Sequence, residues 1–201
     1  MNNNPLLVYL HGLNSAPQSE KAQCVQRYIN TNALALEAWI PLLPTWPDEV
    51  KTLLLDTLLP EATVRPVYMI GSSLGGFFGT WLQAQLHEAF PGRRHPLAVV
   101  NPAAQPFELF EQYLGPQQNT YTGEQWELTH EHADQLRTMV VDELSKAEDI
   151  LLLAQTGDET LDYRQAVARY AGAHHIIEEG GSHAFDHFDR VLPKVFEFLT
   201  A

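Results

Sequence analysis

Basic residues are scarce in this chain: 12 Lys and Arg stand against 25 Asp and Glu, a formal net charge of −13 with the histidines neutral. Such a surface repels phosphate backbones, so no nucleic-acid partner is expected. Cysteine is scarcer still. Cys24 is the one thiol, which excludes an intramolecular disulfide. No window approaches the roughly 18 to 20 apolar residues of a membrane-crossing helix, so no membrane span is expected. The opening MNNNPLLVYL has neither a basic stretch nor a long apolar one, and so does not read as a secretory leader. Together these absences lead to the expectation of a cytoplasmic protein. Internal repeats and low-complexity tracts are missing as well.

What is present is enough apolar material for a full core. Of 201 residues, 45% are hydrophobic, which suits one domain over 1–201. Short apolar runs at Leu6–Leu10, Leu34–Ile40, Val67–Ile70, Leu97–Asn101, Ile150–Gln155 and His174–Glu178 read as strands. Helices are expected near Ser19–Asn30, Pro47–Leu59, Leu74–Ala89, Asp162–Ala171 and Pro193–Thr200. Several strands are nearly continuous Val/Ile/Leu, the pattern of a strand buried on both faces. Alternating β and α with buried strands means an α/β fold, a parallel sheet of about six strands with helices on both faces.

The stretch 102–149 breaks this rhythm, being aromatic, polar and irregular. A connection this long is usually functional or carries small elements of its own. It departs from Asn101, at the carboxyl end of a strand, where open α/β sheets bind ligands. It is therefore expected to be a small cap over the ligand site, with a solvated insertion as the alternative.

The chemistry centres on Gly71-Ser72-Ser73-Leu74-Gly75, a G-x-S-x-G sequence. A chain of this length carries that pentapeptide by chance about once in fifteen cases, so its surroundings decide. A strand-like run precedes it and a helical pattern follows, the setting of a nucleophile elbow in which Ser73 sits on a sharp turn. A serine hydroxyl needs a base within reach. His183, in Gly180-Gly181-Ser182-His183 after the last strand, emerges on the same sheet edge as Ser73. His95 precedes a strand and His174 and His175 begin one, so all three lie at the other edge. His87 is on the elbow helix, and His130 and His132 fall in the irregular segment. Asp158, after the turn that ends Ile150–Gln155, is the expected acid partner, with Asp162 as its rival. His183 and His187 lack a third ligand of obvious identity, so no metal is expected.

An oxyanion needs two N–H donors. Leu74, following the nucleophile, supplies one. The loop His11-Gly12-Leu13-Asn14 supplies the other, from Leu13, with Gly12 as the alternative; His11 is expected only to brace that loop. Trp46, Asn101, Phe107 and Phe110 are candidate pocket residues, and Tyr113, Tyr121 and Trp126 are further aromatics of the same segment.

HGLNSAP, GSSLGG, VVNPAAQPFE, QTGDETLDYRQA and GGSHAF, taken in order along nearly the whole chain, resemble the small YqiA-type bacterial esterases of the α/β-hydrolase superfamily. The resemblance implies a compact α/β-hydrolase fold, a Ser73–Asp158–His183 triad and ester hydrolysis without a cofactor. The expected partner is a small ester or, alternatively, a thioester such as acyl-CoA. A non-catalytic binding module on the same fold is the reading from another class. Oligomeric state is not legible.

Overall fold

The computed structural model describes residues 4–201. Six parallel strands form one sheet: β1 (Leu6–Leu10), β2 (Glu37–Trp39), β3 (Val67–Ser72), β4 (Leu97–Val100), β7 (Ile150–Gln155) and β8 (His174–Glu178). Their spatial order is β2-β1-β3-β4-β7-β8. The remaining two strands, β5 (Gly115–Gln118) and β6 (Gln125–Leu128), form a separate antiparallel hairpin. The helices are α1 (Glu20–Thr31), α2 (Pro47–Val64), α3 (Leu74–Ala89), α4 (Pro106–Gln112), α5 (His130–Arg137), α6 (Tyr163–Arg169) and α7 (Leu192–Thr200).

Alternation along the central strands explains their unbroken apolar character. Leu6, Val8 and Leu10 of β1 enter a core shared with α2 and α3, whereas Leu7 and Tyr9 enter a second core shared with α1 and α7. In β7, Ile150, Leu152 and Ala154 face the first core while Leu151 and Leu153 face the second. Both faces are covered, as buried parallel strands require.

Among the boundaries that differ from the sequence expectation, three have a plain local setting. The run 34–40 yields only the three residues of β2, because Leu34 N–H still bonds back to Ile29 O at the end of α1. Ala33, at φ 47°, turns the chain there. Helix α2 runs through Pro60 to Val64 and does not stop at Leu59. Its buried stripe of Val50, Leu54, Leu58 and Ala62 continues across the proline, so packing on the core outweighs the one lost N–H bond. Helix α6 starts at Tyr163, with Asp162 as its N-cap.

The segment 102–149 is built from α4, the β5–β6 hairpin, α5 and a short 3-10 turn at Ala147–Asp149. Phe110, Leu128, Ala133, Leu136 and Met139 are buried in the same core as α2 and α3, so the segment is packed onto the body. Among the described residues, no helix is long and apolar enough to cross a membrane.

Candidate active site

Ser73 joins β3 directly to α3 and has φ 55° and ψ −122°, a conformation L-residues rarely adopt. The turn closes only because its neighbours lack side chains. A Cβ on Gly71 would overlap the Gly75 carbonyl, and one on Gly75 would overlap the Leu10 carbonyl. The result projects Ser73 Oγ above the carboxyl edge of the sheet, as the G-x-S-x-G geometry demands.

His183 reaches the same point from the loop after β8. Its Nε2 lies 3.1 Å from Ser73 Oγ, and its Nδ1 lies 2.8 Å and 3.0 Å from Asp158 Oδ2 and Oδ1. The Asp158 side chain is 2% exposed, so its charge needs partners. Burial would push its carboxyl up, but the His183 bond and the Leu161 and Thr160 N–H donors outweigh it and hold the group below the ordinary carboxylate range. An ionised Asp158 favours the His183 tautomer with its proton on Nδ1, which leaves Nε2 unprotonated toward Ser73 Oγ.

Asp162 is otherwise engaged. Its Oδ1 accepts from Arg164 N–H at 3.0 Å at the start of α6. Among the described residues, no group of three His, Cys, Asp or Glu side chains is arranged to hold a metal ion.

Leu74 is the first residue of α3, so its N–H has no acceptor within the helix. The Leu13 N–H also meets no backbone acceptor among the described residues. Gly12 packs against Ser73; a Cβ there would stand 3.1 Å from Ser73 Cβ. His11 braces this loop. Its Nε2 accepts from Leu43 N–H at 3.0 Å, its Nδ1 lies 2.9 Å from Gly12 O, and burial lowers its pKa. A small cleft, open to solvent, begins at Gly12, Leu13 and Leu74. Leu43, Phe78, Phe110 and Trp126 give it apolar walls, while Thr45, Asn119 and Glu124 add polar ones.

Three of the four candidate pocket residues are found elsewhere. Asn101 is 3% exposed and faces inward: its Nδ2 donates to Ser182 O and His183 O, and its Oδ1 accepts from Gln155 N–H. Trp46 stacks on His132, ring centroids 3.7 Å apart, outside the cleft wall. Phe107 packs against the core under the Arg137 guanidinium, 5.5 Å from its ring centroid. Only Phe110 lines the cleft.

The sequence reading missed the supports of the His183 loop. Glu159 Oε2 accepts from His183 N–H at 2.9 Å, and Gln155 Oε1 accepts from the N–H groups of Ser182 and Asp186. Lys21 Nζ donates to Ala184 O at 2.7 Å. A signal existed for one of these, Gln155, and it is shared by Asn101. Asn101 and Gln155 are polar residues ending otherwise apolar strands, where an amide can be kept only if fully bonded.

A family model described as an uncharacterised protein family, UPF0227, matches residues 6–200. Among solved structures, Est1E from Butyrivibrio proteoclasticus, with ferulic acid bound, is similar at a TM-score of 0.72 and 17% identity, covering 100% of this chain and 90% of that one. Alpha/beta hydrolase domain-containing protein 10 from mouse is similar at a TM-score of 0.70 and 15% identity, over 97% of this chain and 89% of that one. The monoacylglycerol lipase of Paleococcus ferrophilus is similar at a TM-score of 0.62 and 14% identity, over 97% and 94%. These likenesses establish the α/β-hydrolase fold, in agreement with the resemblance to YqiA-type proteins.

Proposed function

We propose that this chain, which belongs to the uncharacterised protein family UPF0227, is a serine hydrolase that cleaves carboxylic esters through an acyl-enzyme. The observation that carries this reading is the continuous Asp158–His183–Ser73 relay, ending 3.1 Å from a hydroxyl held at φ 55°. Ser73 Oγ adds to the acyl carbonyl carbon while its proton passes to His183 Nε2. The carbonyl oxygen becomes an oxyanion facing the Leu13 and Leu74 N–H groups. Collapse expels the alcohol, which takes the proton from His183 and leaves Ser73 acylated. Water then adds with His183 again taking a proton, and a second collapse releases the acid and restores the serine.

The reading assigns the cleft bounded by Phe110 and Trp126 to the acyl group and the segment 102–149 to a cap. Among the similar structures, one is named a lipase and another holds ferulic acid, which supports acyl chemistry. Acyl-CoA is the weaker substrate class. The dense basic run Arg93-Arg94 is already engaged, with Arg93 on Ala62 O and Arg94 on Asp149, Phe198 O and Ala201 O. A small neutral ester in a cytoplasmic setting, without cofactor, fits best. A fluorophosphonate probe should label the wild type and fail to label Ser73→Ala. Absence of labelling in both would return the protein to the class of binding modules.

A further inference from the structure

The loop that offers the Leu13 N–H has almost no internal support. No backbone–backbone hydrogen bond involves Gly12, Leu13, Asn14 or Ser15 among the described residues. Asn14 itself is held at φ 51°, in the left-handed region. The restraints on its downstream side come from far along the chain. Trp126 Nε1 donates to Asn14 Oδ1 at 2.9 Å, and Asn14 Nδ2 donates to Gln117 Oε1 at 3.1 Å. Asn119 Nδ2 donates to Ser15 O at 2.8 Å. Gln117 and Trp126 sit opposite each other in the β5–β6 hairpin, and Asn119 follows β5. The same hairpin contributes Asn119, Glu124 and Trp126 to the cleft that begins at Leu13.

We propose that Asn14 is a positioning residue: clamped between Trp126 and Gln117, it holds the Leu13 N–H in line with the oxyanion, so that hairpin seating and transition-state stabilisation are one event. The inference rests on the ester-hydrolase reading above. Its physical basis is the steep dependence of oxyanion stabilisation on donor direction, which ground-state binding of a neutral ester does not share. A loose Leu13 peptide therefore lowers kcat and leaves KM nearly alone. Because the clamp also closes the cleft wall, an acyl group that seats Trp126 reinforces the donor that its own oxyanion will use.

The bond to each partner can be removed from either end. Asn14→Gly keeps the left-handed backbone and removes both bonds. Asn14→Asp keeps the acceptor for Trp126 and loses only the donor to Gln117. Trp126→Phe removes the indole N–H and keeps a ring in the wall. The assay is hydrolysis of p-nitrophenyl butyrate, paired with inhibition by 1,1,1-trifluoropentan-2-one. That ketone accepts Ser73 Oγ at its carbonyl carbon, His183 takes the serine proton, and the ketone oxygen becomes the held oxyanion. Loss of a whole oxyanion donor costs about 10² to 10³ in kcat, so misdirection of one should cost roughly 10 to 10². Asn14→Gly and Trp126→Phe should both show this loss with KM within about twofold, and Asn14→Asp a smaller one. Ketone affinity should fall by the same factor as kcat in each variant. Unaltered kcat and ketone affinity, with only a lower Tm, would reduce the clamp to a structural anchor and overturn the proposal. Failure of the wild type itself to hydrolyse the ester or bind the ketone would instead sink the hydrolase reading.

Discussion

Asn101 and His183 are joined through the Asn101 amide, which donates to the His183 carbonyl at 3.1 Å and to the neighbouring Ser182 carbonyl at 2.9 Å. Asn101 has φ 41° and its Oδ1 accepts from Gln155 N–H at 3.0 Å, so one side chain ties the end of β4 to β7 and to the His183 loop. Asn101→Ala would strip the buried Gln155 N–H and the His183 carbonyl of these bonds, while Ser182 O would keep the Phe185 N–H. Each unsatisfied group costs about 1 to 3 kcal/mol, so a Tm lower by several degrees is expected, with kcat reduced roughly tenfold as the imidazole loses its fixed position. Thermal melts and steady-state kinetics check both. Unchanged values would mean that the loop holds itself.

Asp158 and Asp162 should separate cleanly. Asp158→Asn should cost about 10³ to 10⁴ in kcat, because an amide cannot hold the Nδ1–H tautomer. Asp162→Ala removes an N-cap and should cost about 1 kcal/mol of stability, with activity within about twofold. Kinetics and denaturant titration on the two variants decide the matter. The reverse ordering would move the acid to Asp162.

Spacing favours Asp158, directly after the turn glycine, but leaves Asp162 as a rival. Both follow β7 within the same short loop, and each could reach a histidine or a helix start. The structure divides them by what each accepts from: a ring nitrogen for Asp158, the Arg164 N–H for Asp162. By contrast the sharp turn at Ser73 was legible from its strand and helix flanks, and Gly71 and Gly75 have no room there for a Cβ. The sheet was legible for a similar reason, as strands buried on both faces cannot hide in an apolar count. The cleft was not legible. Phe107 and Phe110 are three apart on α4, yet only the second meets the cleft, and composition carries no information on which face of a short helix is turned inward. Asn101 misled because a polar residue at a strand's carboxyl end reads equally as ligand contact or as brace.

That division of α4 makes a prediction about acyl length. Phe110→Leu should open the cleft and move the optimum among p-nitrophenyl esters toward longer acyl chains, each extra buried methylene being worth about 0.8 kcal/mol. Phe107→Leu should leave the profile as it is. A rate profile across acyl lengths reads the difference, and equal responses from both variants would place the acyl group elsewhere.

Acid should destabilise the fold well above the carboxylate range. His95 is 2% exposed, and burial, then the nearby His87 and Arg93, lower its pKa to about 4. His87, beside Asp149, and His132, between Trp46 and Trp126, are lowered by burial too. Below the ordinary histidine value the unfolded chain binds protons that the folded chain refuses, so stability present at neutral pH is lost between about 6.5 and 4. His95 alone accounts for on the order of 3 kcal/mol by that linkage. Urea titrations at pH 7 and pH 5 should show the loss, and His95→Leu should shrink it. A pH-independent midpoint over that interval would contradict the burial of a neutral imidazole.

The most direct test of the account is the mass of the protein quenched during turnover of p-nitrophenyl butyrate. One butyryl group should be found on each chain, on the peptide that carries Ser73, preceded by a burst of p-nitrophenol. Ser73→Ala should show neither adduct nor burst, and Ser72→Ala should show both. An adduct on Ser72, or turnover that persists in Ser73→Ala, would contradict the central claim.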